Sequence, residues 1–264
     1  MHDWKNFTVA IAHEAGSLLK ERFGKKHVID YKGDINIVTE ADRFSEDLLK
    51  SRISRTFPDH GILAEESDEI ESRSEYRWLI DPLDGTTNYA HGYPAFCVSI
   101  ALEQAGETIM GVVHNPMLDE TFVAEAGKGA FLNNERLSVS TISDISSGLL
   151  ATGFPYDLRE NRDNNLNYFI AMSMRAQAIR RAGSAALELA YTAAGRFDGF
   201  WELRLKPWDT AAGCLMVREA GGTVSDLEGN AHGPESSVVV ASNGKIHHVM
   251  LSILTETAPQ FPKG

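Results

Sequence analysis

The chain has 264 residues, 43% of them hydrophobic, which is enough to bury a sizeable core and excludes a disordered or fibrous protein. Its 25 Lys+Arg against 37 Asp+Glu give a formal charge of -12, so its field repels nucleic acid and anionic membrane, and neither is expected as a direct partner. Handling an anionic ligand would require local positive charge, which bound divalent cations can supply at short range.

In chain order, Met1 to Asn6 lacks a basic region followed by an apolar run, and no apolar stretch approaches membrane-spanning length, so a cytoplasmic protein is expected. Phe7, Ile11, Leu18 and Leu19 recur at helical spacing. A second helix follows the cap residue Thr39, carries Phe44, Leu48, Leu49 and Ile53, and stops at Phe57-Pro58-Asp59-His60-Gly61. A short apolar strand, Gly61 to Ala64, runs into Glu65-Glu66. Runs at 76–80, 96–102, 109–114, 121–124 and 130–132, separated by turn signals, predict an antiparallel meander. Gly127-Lys128-Gly129 lacks nucleotide-loop spacing and reads as one of its turns.

From about Leu149, strands alternate with helices expected over 164–174, 184–194, 208–220 and 245–255. Repeats, low-complexity stretches and Pro/Gly/Ser-rich linkers are absent. A single domain over 1–264 is therefore expected, its halves (about 1–145 and 146–264) packed together with a site at their junction. Cys97 and Cys214 lie far apart in apolar stretches and read as buried reduced thiols. The nine histidines show no metal-ligand spacing, and His247-His248 reads as solvated or partly packed near the last helix.

The chemistry-bearing segment is Trp78-Leu79-Ile80-Asp81-Pro82-Leu83-Asp84-Gly85-Thr86-Thr87-Asn88. An apolar strand runs directly into two acids two residues apart, stiffened by Pro82, with the Leu83 carbonyl as a further hard oxygen donor. Asp84-Gly85-Thr86 then resembles a helix start, with Asp84 or Thr86 able to cap it and free N–H groups able to attract phosphate. Taken singly, these acids read equally well as turn acids, Glu65 as a solvated charge at a strand exit, and Asp209 in Trp208-Asp209-Thr210-Ala211-Ala212-Gly213 as a helix cap. Their combination argues for an all-oxygen site suited to magnesium.

Asp81-Pro82-Leu83-Asp84-Gly85-Thr86-Thr87-Asn88, Trp208-Asp209-Thr210-Ala211-Ala212-Gly213 and Ala64-Glu65-Glu66-Ser67 together resemble the inositol monophosphatase family, and Arg180-Arg181-Ala182-Gly183-Ser184 resembles its bacterial type. The resemblance extends from Lys32-Gly33-Asp34 to Gly221-Gly222-Thr223-Val224. It implies an α+β fold, the layered α-β-α-β-α sandwich shared with fructose-1,6-bisphosphatase, usually homodimeric. It implies two or three Mg2+ ions, replaceable by Mn2+, held by Glu65, Asp81, the Leu83 carbonyl, Asp84 and Asp209. It further implies that Thr86, paired with Asp42, orients and deprotonates the attacking water together with Glu65. Gly85 and Thr86 would hold phosphate beside Asp84 and Asp209, and Gly183, Ser184, Ala185 and Glu202 would face the polyol; Lys32 falls near the same site. The expected reaction is hydrolysis of inositol 1-phosphate or a similar polyol or sugar phosphate. A fructose-1,6-bisphosphatase or nucleotide phosphatase is the alternative, and a partner of the transcription machinery is a reading of a different class.

Overall fold

The structure, a computed structural model, describes residues 3–25, 29–31, 37–233 and 236–257. Lys32 and the motif through Asn36 lie outside the described residues. In α1 (Trp4–Arg22), Ile11, Ala15 and Leu19 fall on one buried face at four-residue spacing. A two-stranded ribbon, β1 (Ile29–Tyr31) and β2 (Ile37–Thr39), leads into α2 (Glu40–Thr56). Thr39 caps α2 as expected: its hydroxyl accepts the Ala41 N–H at 3.1 Å, and Asp42 takes the Thr39 N–H at 2.8 Å.

Next come β3 (Gly61–Ala64), β4 (Tyr76–Asp84), the short α3 (Thr86–Ala90), β5 (Cys97–Gln104), β6 (Glu107–Asn115), β7 (Glu120–Glu125), β8 (Gly129–Leu132) and β9 (Glu135–Arg136). The seven strands form one sheet in chain order, β4 to β9 antiparallel as the meander predicts, with β3 added parallel to β4. The second half supplies β10 (Leu149–Thr152), α4 (Leu166–Ser173), β11 (Ala178–Arg180), α5 (Ala185–Ala193), β12 (Gly199–Leu203), α6 (Pro207–Glu219), β13 (Thr223–Ser225), β14 (Val238–Ser242) and α7 (His247–Thr257). Its sheet runs β11-β10-β12-β14-β13, with β10 parallel to both neighbours and β14 antiparallel to both of its own.

Strand alternation decides the layering. Trp78 and Ile80 of β4 face a core with Ile11, Leu49 and Ile53, so α1 and α2 cover one side of the large sheet. Leu79, between them, faces the opposite core, which joins α5 and α6 to Phe200 and Ala241 of the second sheet. The outer face of that sheet, through Trp201 and Val240, packs on α4 and α7. The result is α-β-α-β-α, with both faces of both sheets buried. The small residues of α6 permit a close central layer: a Cβ on Gly111 of β6 would lie 2.7 Å from Ala212 Cα.

Two helices start later than their sequence pattern suggests. Asn165 takes a left-handed φ of 72°, fixed by its own bonds to Thr152, the Gly153 carbonyl and Trp201 Nε1, so α4 starts at Leu166. Asn243 Oδ1 accepts the N–H groups of Lys245 (3.0 Å) and Ile246 (3.2 Å), an Asx turn that delays α7 to His247. His247 is buried and bonded to Ser225 (2.9 Å) and Ser242 (3.0 Å). Cys97 and Cys214 are buried and free. Among the described residues no helix is long and apolar enough to cross a membrane.

Candidate active site

The β4 strand leaves regular pairing between Asp81 and Asp84, which turns its acids away from the ladder. Asp81 is 2% exposed and accepts the Leu83 N–H at 3.0 Å. Gly85, at φ 102°, is the residue that starts α3, and a side chain there would meet the Ala95 carbonyl at 2.9 Å. The expected cap by Asp84 or Thr86 is not made, because both side chains are committed elsewhere. Asp84 accepts the Ser184 hydroxyl and the Ala186 N–H, each at 2.7 Å, tying the large sheet to the start of α5. The Thr86 hydroxyl donates to Asp42 at 2.7 Å, with the Leu83 carbonyl a second acceptor at 3.1 Å.

Pairing register brings the other acids in. Ala64 of β3 sits opposite Ile80, and the Glu65 N–H bonds the Ile80 carbonyl at 3.2 Å, so Glu65 lies beside Asp81. Asp81 pairs with Ser99 of β5, whose hydroxyl donates to the Trp208 carbonyl at 3.3 Å. That bond sets the start of α6, and hence Asp209, over the same strands. Asp209 accepts the Lys206 N–H at 2.7 Å. Glu65, Asp81, Leu83, Asp84, Gly85, Thr86, Gly183, Ser184, Ala185, Glu202 and Asp209 all line one cavity of about 490 Å³. Asp42 is fully buried behind Thr86 rather than in the wall.

The acids of this wall are costly to ionise. Burial, then the charges of Glu65, Asp84 and Asp209, lifts the Asp81 carboxyl well above the usual range. Asp209 is lifted for the same reasons, burial first and then Glu65. Burial also raises Asp84 against the opposing bonds from Ser184 and the Ala186 N–H. Glu202 rises well above its usual value through burial and the neighbouring Glu188 and Asp84, with Arg181 opposing. Asp42 is raised by burial despite its bonds from Thr39 and Thr86.

Among the described residues no three His, Cys, Asp or Glu side chains converge into a ready-made metal shell. The donor set nonetheless fits a hard divalent cation: carboxylate and carbonyl oxygens around one cavity. Among the described residues, no hydrogen bond is made to the second oxygen of Asp81 or Asp209. A cation would relieve the mutual repulsion that adds to burial in raising their pKa values.

Several cavity neighbours escape sequence reasoning. Tyr156 is 55% exposed, yet burial of its hydroxyl end and the charges of Glu65, Asp84, Asp209 and Asp81 raise its pKa. It opens the turn at 156–160, after Gly153-Phe154-Pro155, which signals a break but no direction. Asn88 donates to the carbonyls of Ala95 and Ala182, both at 2.6 Å, a tether across 94 residues that only the fold reveals. Cys97 lies under the site, 3.8 Å from Asp84 and 3.5 Å from Ser184.

Residues 1–259 match the model of the inositol monophosphatase family. An inositol-1-monophosphatase of Mesorhizobium japonicum is 43% identical over 249 residues, covering 93% of this chain and 94% of its own. The Nus factor SuhB of Escherichia coli K12 is 42% identical over 255 residues, covering 96% of each. The crystal structure of the extragenic suppressor protein SuhB from Bartonella henselae superposes with a TM-score of 0.91 at 40% identity, covering 97% of this chain and 99% of that one.

Proposed function

The chain belongs to the inositol monophosphatase family, and from that premise we propose that it is a magnesium-dependent phosphatase that hydrolyses inositol 1-phosphate or a similar polyol phosphate. The observation that carries this is the meeting of Glu65, Asp81, Asp84 and Asp209 around one cavity, beside a buried Thr86–Asp42 pair. Glu65, Asp81, the Leu83 carbonyl, Asp84 and Asp209 would hold two or three Mg2+ ions, or Mn2+ in their place. When bound, the ions neutralise phosphate charge, lower the pKa of water and stabilise the departing alkoxide.

The protein's own groups do the rest. Thr86 donates to Asp42, so its lone pairs are left to accept a hydrogen bond from the attacking water. Asp42 sits behind it as proton acceptor, and its raised pKa suits that role better than an ordinary carboxylate would. The Gly85 and Thr86 N–H groups face the phosphate. Glu202 and the Gly183–Ala185 turn face the polyol hydroxyls, which an acid and backbone groups can fix by direction. Asp84 is held in place by the same turn through Ser184. We place the enzyme in the cytoplasm as a homodimer, with no direct contact to nucleic acid or membrane.

Phosphate release from inositol 1-phosphate, fructose 1,6-bisphosphate, histidinol phosphate and NADP, with and without Mg2+, tests the proposal. Highest kcat/KM on inositol 1-phosphate, only with Mg2+, is expected; higher efficiency on another substrate displaces the polyol assignment, and turnover without a divalent ion ends the magnesium one. Identity to proteins named Nus factor SuhB equals that to inositol-1-monophosphatases within a percentage point, which supports a second reading as a partner of the transcription machinery. Copurification with RNA polymerase, undiminished in Asp84→Asn, would favour it.

A further inference from the structure

Glu188 is a buried acid that the reaction as described does not use. It stands in the first turn of α5, is 1% exposed, and makes no described ion pair. A carboxylate so placed ordinarily serves its own helix end. Here the Ala186 N–H is taken by Asp84 instead, and Glu188 reaches back six residues: its Oε1 accepts the Ala182 N–H at 2.6 Å. Its Oε2 is buried and has no hydrogen-bond partner among the described residues.

Such a group is a poor choice for stability. Desolvating a carboxylate costs more than one backbone hydrogen bond returns, and an apolar side chain of similar volume would pack at lower cost. Burial pushes its carboxyl up to about 8, which reports the same penalty. The bond that is made therefore points to a positional role. Ala182 and Gly183 form the turn between β11 and α5, and the same turn is gripped from the opposite side by Asn88, which donates to the Ala182 carbonyl at 2.6 Å. Glu188 holds the N–H side of the Ala182 residue and Asn88 its carbonyl side. The turn so clamped is the one that lines the cavity at Gly183, Ser184 and Ala185, together with Glu202.

We propose that Glu188 is a positioning residue for substrate recognition: through its bond to the Ala182 N–H it fixes the turn that presents Gly183 to Ala185 to the substrate's hydroxyl groups. This rests on the phosphatase reading above and deepens it. Two consequences separate it from a merely structural role. Loss of the tether raises KM more than it lowers kcat, since Thr86 and Asp42 are anchored elsewhere and Asp84, although bonded to Ser184 of the turn, keeps the Ala186 N–H of α5 itself. Glutamine, which keeps an acceptor oxygen but no charge, restores function.

The test compares Glu188→Leu, Glu188→Ala and Glu188→Gln in the full chain, by steady-state kinetics, thermal unfolding and amide hydrogen exchange of the peptide spanning 181–184. Expected for Leu, or for Ala if Leu does not fold, are a KM for the parent's best substrate raised about tenfold, kcat changed less than about threefold, and faster exchange in that peptide, with Tm near the parent's. Gln should stay within about threefold of the parent KM with parental exchange. Unchanged KM or unchanged exchange in Leu and Ala overturns the proposal, as does a Gln variant as impaired as Leu. A parent that turns over no substrate of the panel sinks the phosphatase reading, and this inference with it; an active parent with an unresponsive Glu188 sinks this inference alone.

Discussion

Gly153→Ala should damage substrate selection without damaging the fold. Gly153 is buried where β10 ends, and its φ lies outside the left-handed region, so alanine is compatible with the backbone. An alanine Cβ there would stand 2.0 Å from Glu202 Oε1, 2.2 Å from Cδ and 2.3 Å from Oε2. Nonbonded heavy atoms settle at roughly 3.5 Å, so the carboxylate must withdraw by more than about 1 Å. It is the end of a flexible side chain and can move, at an overpacking cost of about 1–3 kcal/mol. If that displacement falls on polyol binding, kcat/KM for inositol 1-phosphate drops about 5- to 150-fold. Turnover of p-nitrophenyl phosphate, which has no polyol hydroxyls, should change by less than about threefold, and Tm should shift by only a few degrees. Parental kcat/KM on the inositol ester would refute the placement of Glu202 against the substrate.

Thr86→Val removes the hydroxyl that donates to Asp42; kcat should fall by about 10²–10³ with the Mg2+ dependence of the residual rate unchanged, read by phosphate release. Cys97 and Cys214 are buried, and burial raises both thiols, so neither should react with Ellman's reagent until urea unfolds the chain; prompt reaction of either thiol in the native protein contradicts their placement. His114 and His232 are lowered to about 4, chiefly by burial, against about 6.5 when unfolded. Between those values the unfolded chain binds protons that the folded chain refuses, so each histidine removes about 1.4 kcal/mol of stability per pH unit as pH falls. Urea unfolding at pH 6.5 and 4.5 should show a steeper loss in the parent than in His114→Gln, and equal slopes would count against the burial argument.

Much of the site was legible because its residues are concentrated at strand and helix ends. Asp81 and Asp84 follow an apolar run, Glu65 ends another, and Asp209 opens a small-residue helix; each boundary alone has an ordinary reading, and it is their combination, with the family motifs, that nominates them. What the sequence does not carry is the register that joins them. Ala64 opposite Ile80, and Ser99 opposite Asp81 and bonded to Trp208, are facts of pairing between distant stretches. The meander was readable from alternation and turns, whereas the parallel placement of β3 was not, since a crossover leaves no local mark. The cap of α3 differs from expectation for a related reason: Asp84 and Thr86 are good cap residues, but Ser184 and Asp42 compete for them more strongly. Glu188 was invisible, and so was the tether that Asn88 makes to Ala182, because an acid in a helix and an amide at a motif's end have ordinary local uses until the fold brings Ala182 between them.

On the proposed function, acids from three separate stretches of chain share divalent cations. A crystal grown with Mn2+ and measured at a wavelength where manganese scatters anomalously tests it directly. Anomalous peaks enclosed by Glu65, Asp81, Asp84 and Asp209, and lost in Asp209→Asn, are the predicted result. Peaks elsewhere, or none between these side chains at saturating Mn2+, would rule out a shared cation site.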